Sequence, residues 1–227
     1  MYKCCIFDLD GTLVNSIYAI QKSVNDTLSY WNMREISVEE SRLYGGYGYK
    51  KLLERSLIAC GDKELAHYDE AVDRYQDIFR KCCMYRVEAY EGIRELLEFL
   101  KSQGILIAVL SNKPHPRTLD NVEGVFGKGC FDLVYGERED KGIRKKPAPD
   151  GVWAIMKELG VTGEEVLYLG DTNTDMRTGK HAGVDTVGVT WGFRDRKELE
   201  EFAPRFVVDH PSQVIQIIKD VNGIGQE

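Results

Sequence analysis

Long apolar runs are missing from this 227-residue chain: stretches such as Ile105 to Leu110 are among the longest. A bilayer-crossing helix needs about 20 predominantly apolar residues, so a membrane span is excluded. The opening residues lack the basic, then apolar, then small-residue order of a secretory signal, and Asp8 and Asp10 interrupt them almost at once. A cytoplasmic location is therefore expected, and the Asn25-Asp26-Thr27 sequon is expected to stay silent. No C-x-x-C pair occurs among the six cysteines, and two pairs, Cys4-Cys5 and Cys82-Cys83, are directly adjacent. Zinc and disulfides rarely use that spacing, so Cys4, Cys5, Cys60, Cys82, Cys83 and Cys130 read as reduced thiols. An excess of positive charge is lacking too. The formal net charge of −7 argues against nucleic acid or an anionic membrane as partner, since phosphate backbones need clustered cations. A small anionic substrate remains compatible, because a few local cations and a metal can reverse the field inside one cleft.

What is present is apolar content of 43 %, enough for a substantial core. Tyr2 to Phe7 reads as a short buried strand that runs into Asp8-Leu9-Asp10-Gly11-Thr12, where Gly11 permits a turn. From about 15 to 84 the pattern is helical, with candidate helices at Ile17 to Tyr30, Tyr49 to Ala59 and Glu64 to Phe79. Gly61-Asp62 separates the last two, and Tyr44-Gly45-Gly46-Tyr47-Gly48-Tyr49 reads as an aromatic loop. Beyond Tyr90, helices and strands alternate. A helix over Gly92 to Ser102 precedes a strand Ile105 to Leu110 that ends at Ser111-Asn112. His115, between two prolines, is expected in a loop, and a further strand is placed around Phe131 to Tyr135. A helix at Pro149 to Leu159 leads to the strand Val166 to Leu169, then a helix at Thr174 to Ala182 and a strand Thr186 to Val189. Such alternation implies an α/β fold, a Rossmann-like parallel sheet flanked by helices. The chain thus divides into an α/β core, 1–14 with 85–227, and an inserted helical cap, 15–84.

In open α/β sheets functional groups collect at the carboxyl ends of strands. Here those ends carry Asp8-x-Asp10, Ser111-Asn112 and Gly170-Asp171-Thr172-Asn173-Thr174-Asp175, while Lys146 precedes Pro147 on a loop. One acidic strand end is commonly a turn, and Asp171 to Asp175 could equally cap a helix. Together they bring carboxylates, a hydroxyl and an ammonium to one edge. The basic run Lys141, Arg144, Lys145, Lys146 would by itself read as a solvated loop, and either Lys145 or Lys146 could supply that ammonium.

This ordered set, Asp8-Leu9-Asp10-Gly11-Thr12-Leu13-Val14, Ser111-Asn112, Lys146-Pro147 and Gly170-Asp171-x-x-x-Asp175, resembles the haloacid dehalogenase (HAD) superfamily of phosphatases. Ser111-Asn112-Lys113-Pro114 and Val189-Thr190-Trp191-Gly192-Phe193-Arg194 are most similar to its phosphoglycolate phosphatases, which carry a small helical cap. The resemblance implies hydrolysis of a small phosphorylated metabolite by a monomer or homodimer. Asp8 would be the nucleophile that forms an aspartyl-phosphate, and Asp10 the general acid and then base. Lys146 would neutralise charge, Ser111 and the backbone amides around Asp10, Gly11 and Asn112 would hold phosphoryl oxygens, and Thr12 would fix the loop around the nucleophile. Mg2+ would sit on the Asp8 carboxylate, the Asp10 backbone carbonyl and Asp171, with Asp175 orienting its surroundings. Tyr44, Tyr47 and Lys50 are expected cap contacts to substrate.

Other members of the same superfamily, a pyrophosphatase or a sugar-phosphate mutase, use similar motifs. Dehalogenation needs neither an acid at Asp10 nor magnesium. A phospho-aspartate signalling module would not keep a base at Asp10, which promotes hydrolysis. A catalytically degenerate binding protein would not retain Asp8, Asp10, Lys146 and Asp171 together.

Overall fold

The computed structural model describes residues 1–225. The chain opens with β1 (Cys4–Phe7) and a two-residue strand β2 (Val14–Asn15), then four helices: α1 (Ile17–Leu28), α2 (Val38–Tyr44), α3 (Tyr49–Ala59) and α4 (Tyr68–Cys82). β3 (Glu88–Ala89) returns the chain to α5 (Ile93–Ser102), β4 (Leu106–Pro114), α6 (His115–Phe126) and β5 (Leu133–Glu137). α7 (Asp150–Leu159), β6 (Val166–Gly170), α8 (Asn173–Ala182) and β7 (Asp185–Val189) follow. The last elements are α9 (Arg196–Glu200), β8 (Phe206–Val208) and α10 (Pro211–Asn222).

Six strands form one all-parallel sheet in the order β5-β4-β1-β6-β7-β8. β1 is central because its residues are apolar on both faces: Cys5 and Phe7 join one core cluster, Cys4 and Ile6 the other. On the first face α5 lays down Ile93, Leu96, Leu97 and Leu100, the i, i+3, i+4, i+7 stripe of an amphipathic helix, beside Val214 and Ile218 of α10. Val152 and Ile155 of α7 cover the other face. A third cluster has all its buried residues in the helical block, with Phe193 of the core packed against it: Ile20, Val24 and Leu28 of α1 meet Leu52, Leu53 and Leu57 of α3. Ala71, Tyr75 and Phe79 of α4 complete it, at the spacing of four that keeps side chains on one helix face. The block joins the sheet where β2 pairs antiparallel with β3, so the chain leaves and re-enters at one place.

Several element limits differ from the sequence expectation. α4 starts at Tyr68, not Glu64, because Leu65 is left-handed at φ 57° and Asp62 takes the Ala66 and His67 N–H groups. β5 starts at Leu133 rather than Phe131, since the Asp132 carboxylate occupies the Ile107 N–H at 2.7 Å. β4 continues through Ser111 and Asn112 to Pro114. His115 opens α6 instead of lying in a loop, because Pro116 fits a first helical turn that lacks N–H acceptors. The sequence pattern predicts none of α2, α9, α10, β8 and the two-residue strands β2 and β3. The Ser37–Glu40 capping box that starts α2 was a readable signal.

Candidate active site

Asp8 follows β1 directly, and Asp171 follows β6 directly. Those strands are neighbours in register, Phe7 opposite Leu169, and the Asp8 N–H donates to the Leu169 carbonyl at 2.9 Å. Two carboxylates therefore share one sheet edge because parallel pairing aligns their strand ends. Gly11 makes this possible. Its φ is +86°, a region that L side chains avoid, and a methyl group there would overlap the Asp171 carboxylate.

The Asp8 Oδ1 atom accepts from the Leu9 N–H at 2.7 Å and from Lys146 Nζ at 2.8 Å. Its Oδ2 has no protein donor among the described residues, and Asp8 lines a cavity of about 70 Å³. Lys146 is 3 % exposed and also donates to Asp175 Oδ1 at 2.7 Å. Burial acts to lower the pKa of this ammonium, but the charges of Asp175 and Asp8 outweigh it and raise it. Lys145 instead pairs with Glu137 at 2.9 Å and Glu139 at 3.2 Å.

The Asp175 carboxylate is fully subscribed. Oδ1 accepts from Lys146 and from the Tyr168 hydroxyl at 3.0 Å, and Oδ2 from the Thr172 N–H and hydroxyl. That is the usual capacity of a carboxylate, so its task is to hold Lys146 and start α8. Asp171 keeps spare capacity: Oδ1 accepts from Thr12 Oγ1 at 3.1 Å and Oδ2 from the Phe193 N–H at 2.7 Å. Asp8, Asp171 and Asp175 place ligand atoms within 4.8 Å of one another, all buried. Burial first, and then Asp175, push the Asp171 carboxyl up to about 7. Asp8 is raised well above the usual carboxylate range, by burial and then by Asp175, against the pull of Lys146.

The Asp10 side chain, 16 % exposed, lines the same cavity. Its Oδ1 accepts from Ser16 Oγ and from Lys113 Nζ, the latter at 2.6 Å. Ser111 and Asn112 line the cavity as well. The Asn112 side-chain amide brackets the Lys146 backbone, accepting its N–H at 2.9 Å and donating to its carbonyl at 3.0 Å. It also donates to the Gly46 carbonyl at 3.3 Å, a tie between core and helical block. Thr12 lies beneath the site and does not line the cavity.

The helical block closes the far side with Ile20, Gly45, Gly46, Gly48, Tyr49, Leu52, Tyr75 and Phe79. Tyr44, Tyr47 and Lys50 are not among its lining residues. Tyr44 packs in the helical cluster with its hydroxyl 3.3 Å from Glu40. Tyr47 donates to Asn173 Oδ1 at 3.0 Å beneath the Arg55 guanidinium, and Lys50 is exposed. Sequence reasoning gave no role to Lys113 or Arg194. Lys113 carried a signal, since residues two apart on a strand share a face and Ser111 was already singled out. Arg194, 8 % exposed, donates to the carbonyls of Arg42, Leu43 and Gly45 at the end of α2.

Acidic strand ends, a buried lysine between two of them and a helical block over the cavity describe a hydrolase of the α/β type. The profile of the haloacid dehalogenase-like hydrolases matches residues 5–189. Phosphoglycolate phosphatase of Aquifex aeolicus is 31 % identical over 95 % of this chain and 96 % of its own length. That of Colwellia psychrerythraea is 29 % identical over 94 % and 96 %. A crystal structure from Lactobacillus delbrueckii subsp. bulgaricus, provisionally named phosphoglycolate phosphatase, superposes with a TM-score of 0.88. It is 27 % identical and covers 96 % of this chain and 98 % of that one. The chain belongs to the haloacid dehalogenase-like hydrolases and is a phosphatase of that family.

Proposed function

We propose that this enzyme hydrolyses a small phosphomonoester through an aspartyl-phosphate on Asp8, with Mg2+ as its metal and 2-phosphoglycolate as its substrate. One observation carries the reading: Asp8 has one oxygen held by Lys146, the other without a protein donor among the described residues, and lines a cavity that Asp10 also lines. The names of the relatives support the choice of substrate. A cavity of about 70 Å³ suits a small ester.

The donor set fits a hard divalent cation. Asp8, Asp171 and Asp175 are buried with Lys146 as the only ammonium bonded to them among the described residues, which leaves an excess of negative charge. With Asp175 fully bonded, Asp8, Asp171 and the Asp10 carbonyl would hold the ion. When bound, Mg2+ supplies the positive charge that lets an anionic nucleophile and an anionic phosphoryl group share the site.

Asp8 Oδ2 attacks phosphorus, the ester P–O bond breaks, and the leaving oxygen takes its proton from Asp10. Asp10, now a carboxylate, removes a proton from water as that water attacks the phosphorus of the aspartyl-phosphate. The P–O bond to Asp8 breaks, releasing phosphate and restoring the carboxylate. Lys146 and the Ser111 hydroxyl bind phosphoryl oxygens, and preorganised charge of this kind is the main catalytic resource in phosphoryl transfer. Residues 15–84 act as a cap over the core formed by 1–14 and 85–227, excluding bulk water during transfer to Asp8 and admitting the water that Asp10 then activates.

Phosphate release from 2-phosphoglycolate should require Mg2+, stop on chelation and vanish in Asp8→Asn. Turnover that survives Asp8→Asn would remove the nucleophile from this scheme. A panel of phosphorylated metabolites in which 2-phosphoglycolate is not among the best by kcat/KM would remove the substrate and leave the class.

A further inference from the structure

Two ammonium groups line the cavity, Lys146 and Lys113. Lys146 serves the Asp8 end, whereas Lys113 stands at the Asp10 end. Its side chain is 4 % exposed, its Nζ lies 2.6 Å from Asp10 Oδ1, and it also donates to Asn121 Oδ1. An ammonium has three N–H donors. Asp10 and Asn121 take two, and the third has no protein acceptor among the described residues. Burying a lysine is costly, and a hydroxyl, Ser16, already holds the same Asp10 oxygen. The walls beyond Lys113 are apolar except for the Tyr75 hydroxyl: Ile20, Leu52 and the rings of Tyr75 and Phe79, with the Phe79 ring centroid 5.4 Å from Nζ. A neutral leaving group would offer the remaining N–H of this ammonium no anionic partner.

Resting on the function proposed above, we infer that Lys113 is a specificity-determining residue that binds a carboxylate carried on the same carbon as the ester oxygen. The geometry restricts where such a group sits. The general acid works within about 2.6–3.2 Å of the leaving oxygen. Whatever bonds to Asp10 is therefore one neighbour away from that oxygen. A carboxylate oxygen of a 2-phosphooxy acid is three bonds from the ester oxygen, close enough to reach the Lys113 N–H while Asp10 faces the leaving group. The esters this selects are 2-phosphooxy acids with little or no further substitution, because Leu52 and Phe79 close the space behind.

The test compares 2-phosphoglycolate, ethyl phosphate and 3-phosphooxypropionate, in which the carboxylate is absent or one carbon too far. Wild-type enzyme loaded with Mg2+ is expected to prefer 2-phosphoglycolate to both in kcat/KM. In Lys113→Met, kcat/KM for 2-phosphoglycolate should fall roughly 30- to 1000-fold further than for ethyl phosphate, the scale for unpairing a desolvated charge. Ethyl phosphate should fall only several-fold, as Asp10 loses one of its partners. Lys113→Arg keeps the charge and should keep the preference. An equal loss on both esters in Lys113→Met overturns the inference and makes Lys113 a positioning residue for Asp10, leaving the proposed function intact. A wild type that does not distinguish the three esters overturns it without any variant. A wild type inactive on all of them overturns both readings together.

Discussion

Replacing Lys146 with Met should damage stability and catalysis by separable amounts. The ammonium is 3 % exposed and bonded to Asp8 at 2.8 Å and Asp175 at 2.7 Å. Met matches its length and carries no charge, so three buried carboxylates would be left without an ammonium bonded to them among the described residues. Removing one partner of a buried ion pair costs about 3–5 kcal/mol, mostly the penalty of the charge left behind. For a chain of this size each kcal/mol moves Tm by about 2–4 °C, so a fall of roughly 6–20 °C is expected in chelator. On Mg2+-loaded enzyme at a temperature where the variant is folded, kcat should drop by about 10²–10³, as when one preorganised donor is removed from a charged transition state. The double variant Lys146→Met with Asp175→Asn should recover part of the Tm, because one of the stranded charges is gone. Calorimetry and steady-state kinetics on the four proteins of that cycle decide the matter. A Tm within about 1 °C of wild type would refute the buried-pair account, and unchanged kcat would refute the electrostatic role.

Two further outcomes follow from the same site. With chelator present, Asp171 has a folded pKa of about 7 against an ordinary 3.8. The stability it contributes is full below its ordinary value and is lost as pH rises through about 7, because between those values the folded state holds a proton that the unfolded state has released. Wild type minus Asp171→Asn, measured by thermal melts from pH 4 to 8, should show that slope. Added Mg2+ should raise Tm more at pH 7.5 than at pH 5, and an equal shift at both would refute it. Arg194→Met removes a guanidinium that holds the carbonyls of Arg42, Leu43 and Gly45, where a charged hydrogen bond contributes about 1.5–3 kcal/mol. KM should rise several-fold with Tm lower, and unchanged KM and Tm would show that this tie does not hold the loop over the cavity.

The sheet and the acidic strand ends were legible because their signals are local. An apolar run buried on both faces gives a central strand, and Asp-x-Asp-Gly after it gives a turn with two carboxylates. Lys146 was legible only through the resemblance, whose pattern sets the lysine before a proline, here Pro147. The roles that stayed hidden depend on pairs distant in sequence. Asn112 is expected to offer its backbone amide; that its side-chain amide brackets the Lys146 backbone, 34 residues away, no local pattern announces. Tyr47 looks like a substrate contact until its hydroxyl is seen on Asn173, 126 residues away. Arg194 caps a helix that is 149 or more residues earlier, which no periodicity announces. Lys113 was the nearest miss, two residues from Ser111 on one strand face.

The central place of β1 has a consequence for how the chain is made. Cys4 pairs with Leu106 on one side and Val166 on the other, and with no strand in between. At a synthesis rate of about 5–20 residues per second, the Cys-Cys-Ile-Phe strand waits roughly 5–20 s for its first neighbour and longer for its second. During that time the helices between 17 and 82, whose core is built from local contacts, can assemble on their own. The strand that delivers the nucleophile is thus translated first and docked late, an apolar segment exposed to chaperones, or to other unfinished chains, until residue 166 has left the ribosome.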